Sequence, residues 1–282
     1  MTTYYDTVKR TLAPRSFDSC KDWTDKFEIW RGANGRGHTD DKLVRDFAAY
    51  LVDNNKANSS IKTGCSWIGK YLNWLRDEGK DVPAQKPYDL PRDKRQIKFT
   101  PSKEQVAKLV SNCKDFTIPY GYAVGLIPYT GMRDTEIHTL KYDDWSISKD
   151  KRVMFHLKQT KNGKARNVPL LRSGEWLFKE YITVRKELVN GQKSDWLFPQ
   201  QSNPDKCIMR KNVEFYMRKI RKDLQLDKMT CHSLRRYYVT NLMRLRVREI
   251  DICQIIGHSD MRTFKLYYQP TAEDLSATLG DL

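Results

Sequence analysis

Arg133, Lys161, His232, Arg235 and His258 precede a Tyr267-Tyr268 pair along the chain. They stand in the strings T-G-M-R-D-T-E, T-K-N-G-K, H-S-L-R-R, I-I-G-H-S and K-L-Y-Y. Two arginines can neutralise a phosphate, and a lysine with histidines can move protons or donate hydrogen bonds. A tyrosine hydroxyl can attack phosphorus. As a set, these residue types suit the transfer of a phosphodiester onto a phenol without a metal.

Taken singly, each string has a plainer reading. Glu136 lies three residues after Arg133, so a helix beginning there puts both on one face, where the carboxylate can orient the guanidinium for a two-point grip on phosphate. The same spacing describes an ordinary surface pair. Lys161 precedes Asn162-Gly163, a hairpin-turn signal, so it would project on a loop and could protonate a leaving oxygen. Lys158, Lys161 and Lys164 also fit any solvated hairpin. His232 and Arg235 share a helical face, whereas Arg236 points ~100° away. His258 and Tyr267 are nine residues apart. On one unbroken helix they would face opposite sides, so the Gly-His-Ser turn must break it. At least one of the two tyrosines can equally be a core aromatic.

The elements that must position these residues follow from periodicity. Over the first ~80 residues, helical spacing predicts a small bundle. Its stripes are Trp23, Phe27 and Trp30; Leu43, Phe47, Tyr50 and Leu51; and Ile61, Cys65, Ile68, Leu72 and Leu75. A weaker helix is expected near Tyr5, Val8 and Leu12. Pro83, Pro87 and Pro91 mark a linker running to about Lys98. A helix is expected from Thr100-Pro101, and residues 120–140 read as helix, turn at Thr130-Gly131, helix. From Trp145 to Leu170 the period becomes two, with strands through Val153–Leu157 and Asn167–Leu170. Helical periodicity resumes after Gly174 and dominates to the end. The basic stretch Lys211–Lys222 could follow a DNA backbone or simply face solvent.

Net charge is +16, from 51 basic and 35 acidic residues. Residues 1–96 hold 18 and 14 of these, leaving 33 and 21 for residues 97–282, so the surplus sits with the motifs. That bias favours a polyanion partner. Six cysteines form no C-x-x-C pair, and none clusters with the five histidines at ligand spacing, so neither a zinc site nor a disulfide framework is expected. No apolar run reaches ~18 residues, and the N-terminus lacks a signal-peptide core, so no membrane and a cytoplasmic location are expected.

Together the strings resemble those of the tyrosine recombinase (phage integrase) family. T-G-M-R-D-T-E is similar to its first-arginine box, and T-K-N-G-K-A-R-N-V-P-L to its lysine hairpin. H-S-L-R-R-Y-Y-V-T is similar to its H-x-x-R box, and I-I-G-H-S-D-M-R-T-F-K-L-Y to its histidine-to-tyrosine segment. The resemblance implies a mainly α fold with a small antiparallel sheet. It implies a helical core-binding domain over residues 1–82, a linker over 83–98 and a mixed α/β catalytic domain over 99–282. Catalysis would rest on Arg133, Lys161, His232, Arg235, His258 and Tyr267, with Glu136 supporting. Tyr267 becomes the nucleophile because the family's tyrosine follows the G-H histidine by nine residues. The implied reaction cuts and rejoins DNA through a 3′-phosphotyrosyl link, with no cofactor, metal or ATP.

Implied partners are double-stranded DNA, a homotetramer on two DNA sites that is monomeric or dimeric when free, and an accessory DNA-bending protein in some systems. The chain would serve chromosome resolution or a mobile element. Type IB topoisomerases share this chemistry, and a regulator that binds without cutting could share the scaffold. Two positions depart from the family pattern: Arg236, where histidine is frequent, and Arg246, in a turn that often carries glycine. A C-terminal tail with Leu275 and Leu279 would dock on a neighbouring protomer or on its own domain.

Overall fold

The apolar stripes of the first third of the chain become helices α1 (Tyr4–Thr11), α2 (Pro14–Ala33), α3 (Leu43–Asp53) and α4 (Asn58–Asp77). The computed structural model describes residues 3–90, 98–116, 118–158 and 165–257. It divides into two compact units, Met1–Gln96 and Ile97–Leu282. In the first, Phe27, Leu43, Phe47, Ile61, Ile68 and Leu72 fill the core. Burying each such side chain contributes about 1.5–3 kcal/mol. Gly64 lets α2 and α4 approach closely, since a Cβ there would stand 2.6 Å from the Trp23 ring. In α1 the buried ring is Tyr4, packed on Tyr71 and Trp74, whereas Tyr5 turns outward to donate to Asp25.

The proline-rich stretch expected as a linker is partly structural. Val82 is buried in the first core, with Tyr88 and Leu90 packed against it. Gln85 donates to the Asp40 carbonyl and accepts from the Val44 N–H. The Lys86 N–H donates to the Asp41 carbonyl at 2.7 Å. Prolines forbid helix and sheet here but leave an extended strap whose apolar side chains still find the core.

The second unit begins with α5 (Lys103–Ser111), two residues beyond the expected Thr100-Pro101 start. Ser102 and Gln105 form a reciprocal capping box, which fixes the boundary more firmly than the proline does. Helix α6 (Tyr120–Thr130) is buried on nearly every side, as its unbroken apolar composition requires. Around it lie α7 (Asp134–Ile137), α8 (Glu175–Val189), α9 (Arg210–Asp223) and α10 (Cys231–Arg244), and α11 (Glu249–Ile256) packs on α10.

Strands β1 (Trp145–Ile147), β2 (Val153–Leu157) and β3 (Arg166–Pro169) form an antiparallel sheet in the order β1-β2-β3. Val153, Phe155 and Leu157 point into the core and His156 sits opposite Asn167. The turn between β2 and β3, with Asn162-Gly163, lies outside the described residues. A second pair, β4 (Pro199–Gln200) with β5 (Asn203–Cys207), interrupts the helical run expected after Gly174. Its polar, proline-containing sequence carries no alternation to announce it. Among the described residues, no helix is long and apolar enough to cross a membrane.

The α10–α11 turn explains the departure at Arg246. The Arg246 N–H donates to Met243 and the Val247 N–H to Leu242, a Schellman arrangement that holds Arg246 at φ +56. A side chain there costs energy that glycine would avoid. Arg246→Gly should therefore stabilise the chain by up to about 1 kcal/mol, read as a higher denaturation midpoint. An unchanged or lower midpoint would count against this reading of the turn.

Candidate active site

The site is assembled where α6 ends. Gly131 takes φ +63, terminating α6, and a Cβ on it would overlap the Tyr238 ring of α10. The chain then turns so that Arg133 becomes the N-cap of α7. Glu136 reaches back in two ways. One carboxylate oxygen accepts the Arg133 N–H at 2.8 Å, and the other accepts from Arg133 Nη1 at 2.7 Å. The R-x-x-E spacing thus produces a pair in which one buried carboxylate caps the helix and orients a partly exposed guanidinium.

Helix α10 supplies the next two residues. Thr230 and Ser233 cap it reciprocally, which sets the rotation of His232 and Arg235 on its first turns. Arg235 is among the largest fully buried side chains, with 1% of its surface exposed. Its Nη1 donates to the Gly131 carbonyl at 2.6 Å and its Nη2 to the Ile256 carbonyl. Arg236 points elsewhere and donates to the Phe99 carbonyl.

Arg166, which the motif reading did not select, completes the cluster from β3. Its Nη2 meets the Glu136 carboxylate at 2.7 Å, and its Nε donates to the Ile255 carbonyl at 2.8 Å. Arg235 Nη1 stands 3.9 Å from the same carboxylate. A sequence signal existed: alternation places residue 166 on the face of buried Val168 and Leu170, and a charge facing a core needs a partner.

Three arginines also finish α11. Its final carbonyls lack intrahelical partners. Those of Ile255, Ile256 and Gly257 accept from Arg166, Arg235 and Arg133 respectively, the last at 3.1 Å. Gly257 ends the helix at φ +67, and a Cβ on it would lie 2.9 Å from Arg166 Nη1. The helix thus ends before His258; His258 and Tyr267, whose nine-residue spacing calls for a break between them, lie outside the described residues.

Arg133, His232 and Arg235 line one cleft of about 520 Å³, with Asp134, Arg210 and Thr230 on its walls. Burial alone would raise the Glu136 carboxyl, but Arg166, the Arg133 N–H and Arg235 hold it below the usual carboxylate range. For His232, partial burial of the ring and then the charges of Arg235, Arg236, Lys98 and Arg133 push the imidazole down to about 4. The ring is therefore neutral at pH 7, while the residue still reaches solvent.

Of the residues singled out by sequence, Arg133, Glu136, His232 and Arg235 come together here. Lys161, His258, Tyr267 and the tail with Leu275 and Leu279 lie outside the described residues. The framework is demanding. Gly131→Ala should destabilise the second unit by about 2–4 kcal/mol, combining left-handed backbone strain with overlap against Tyr238. Thermal unfolding measures it, and a wild-type Tm would contradict the packing described.

Residues 101–274 match the phage integrase family. Over 236 residues the chain is 25% identical to tyrosine recombinase XerA of Pyrococcus horikoshii, covering 82% of this chain and 78% of that one. It is 25% identical over 244 residues to tyrosine recombinase XerD of Rickettsia conorii, covering 79% and 77%. Among solved structures, its fold is similar to that of a lambda integrase dimer bound to a COC' core site. The TM-score is 0.68 at 14% identity, covering 94% of this chain and 75% of that one. It is also similar to XerH site-specific recombinase bound to a palindromic difH substrate, with a TM-score of 0.67 at 20% identity, covering 90% and 75%. With the motif-bearing unit matched almost throughout, the chain belongs to the phage integrase family of tyrosine recombinases.

Proposed function

We propose that this chain recombines double-stranded DNA at specific sites, with Tyr267 as the nucleophile and a 3′-phosphotyrosyl link as the intermediate. The observation that carries the reading is the meeting of Arg133 and Arg235, from helices about a hundred residues apart, on one carboxylate beside a neutral histidine. In the proposed step the Tyr267 oxygen bonds to phosphorus and the bond from phosphorus to the 5′ oxygen breaks. The tyrosine proton leaves toward a neutral acceptor, the part assigned to His232. Lys161 protonates the departing 5′ oxygen, and His258 donates a hydrogen bond to the phosphoryl group. Attack by a 5′ hydroxyl reverses the step, so the phosphoester energy is conserved.

Magnitudes explain the number of cations. A phenol of pKa ~10 is ionised about one part in a thousand at pH 7, a deficit of ~4 kcal/mol. Arg133 and Arg235, held in fixed orientations at one cleft, would stabilise the charge that develops on the phosphoryl oxygens. The strands of two duplexes would be exchanged within a tetramer assembled from free monomers or dimers, with a DNA-bending partner at some sites. A cytoplasmic, nucleoid-associated location follows from that substrate.

Trapping on a nicked suicide substrate tests the proposal. A covalent protein–DNA adduct should form with the native chain and vanish in Tyr267→Phe. An adduct that persists in Tyr267→Phe, or none from any DNA, would contradict it. The low pKa of His232 adds a pH expectation. Because its folded pKa is depressed, the neutral form persists as pH falls, so the limb it contributes to kcat/KM should lie near pH 4 rather than about 6.5. A His232-dependent limb at pH 6 to 7 would contradict that role.

A further inference from the structure

Glu136 poses an electrostatic problem. Its carboxylate, 3% exposed, orients Arg133 and stands near Arg235, so its negative charge offsets part of the attraction these arginines could offer a phosphate. Beside neutral His232, two arginines against one carboxylate would leave a single positive charge. A phosphodiester brings one negative charge and its pentacoordinate transition state two. Arg166 supplies the difference. Its side chain is 8% exposed and contacts the carboxylate at 2.7 Å on the oxygen that also takes the Arg133 N–H. Three guanidiniums against one carboxylate leave this cluster two positive charges, one more than it would have without Arg166.

Geometry adds a second function. Arg166 ties Glu136 to the Ile255 carbonyl, and so joins β3, which leads from the Lys161 hairpin, to the end of α11, which leads to His258. Its Nη1 is buried without a hydrogen-bond partner among the described residues and packs against Gly257, where only glycine leaves room. We infer that Arg166 is a positioning residue for strand cleavage: it cancels the charge of Glu136, leaving Arg133 and Arg235 their full attraction for the phosphate, and it bridges Glu136 to the end of α11. The inference rests on the recombinase reading above.

The test is a mutant cycle in suicide-substrate cleavage at saturating DNA, with binding measured separately. Arg166→Gln keeps a hydrogen-bond donor but loses the charge. It should slow adduct formation on the order of 100-fold while changing DNA affinity little. Arg166→Lys keeps the charge but reaches only one partner, so it should lose about tenfold. Beside Glu136→Gln, the carboxylate charge is gone, and Arg166→Gln should then cost much less than it does alone.

Native-like cleavage by Arg166→Gln, or equal losses with and without Glu136→Gln, would overturn the charge-cancelling role. Should Arg166→Gln fail to fold, Arg166→Lys still decides, because a native rate would remove the need for a two-point bridge. A native chain that forms no adduct would overturn the recombinase reading and this proposal with it. A native chain that cuts, beside variants that cut equally well, overturns this proposal alone.

Discussion

Arg235→Ala should slow strand cleavage by at least about 100-fold, because it removes one of the two charge-assisted donors proposed to hold the phosphoryl oxygens. The side chain is also embedded, with its guanidinium hydrogen-bonded to the carbonyls of Gly131 and Ile256. Alanine would leave both carbonyls short of a donor inside the protein, so stability should fall as well. Arg235→Lys separates the effects. It retains charge at the site but cannot serve both carbonyls and a phosphate at once, so its cleavage defect should remain large when folding is largely restored. A single-turnover rate near that of the native chain for either folded variant would contradict the assigned role.

Glu136→Ala should give the largest loss of stability, about 3–5 kcal/mol, because it leaves Arg133, Arg166 and Arg235 gathered without their carboxylate. Glu136→Gln should be milder, since the amide can still accept from the Arg133 N–H. The sign with pH follows from the depressed carboxyl of Glu136. Its stabilising contribution is complete above the unfolded pKa of a glutamate and disappears as pH falls through the lower folded value. Urea unfolding at several pH values measures this. The gap between the native chain and Glu136→Ala should be widest at neutral pH and close in acid. A gap independent of pH would show that Glu136 acts through packing rather than charge.

Much of this framework was legible in the sequence where periodicity and local chemistry agree. The stripes around Phe27, Phe47 and Ile68 have one solution, a helix with that face buried, and the structure adopts it. Val153–Leu157 alternates, so its strand was legible too. His232 with Arg235 was readable because three-residue spacing on a helix puts both on one face, and Arg133 with Glu136 because the same spacing joins an N-cap to the third residue of its helix.

Features that depend on distant partners were not legible in this way. Arg166 stands on a short strand, and its meaning lies in Glu136, 30 residues earlier, and in α11, about 90 residues later. The strap over residues 83–90 reads as a linker because prolines report what a backbone cannot do, not where it packs. The β4–β5 hairpin lacks alternation, since much of it is exposed and does not divide into inner and outer faces. Capping moved the start of α5 beyond Pro101, because a reciprocal pair at Ser102 and Gln105 outweighs a proline preference for the first turn.

The charge on the scissile phosphate offers the most direct measurement. If Arg133 and Arg235 act by neutralising it, replacing that phosphate with a neutral methylphosphonate removes the need for them. Arg235→Ala should then lose on the order of 100-fold on ordinary DNA and only a few-fold on methylphosphonate DNA. Equal losses on the two substrates would mean that the arginine cluster holds the protein together without gripping the phosphate.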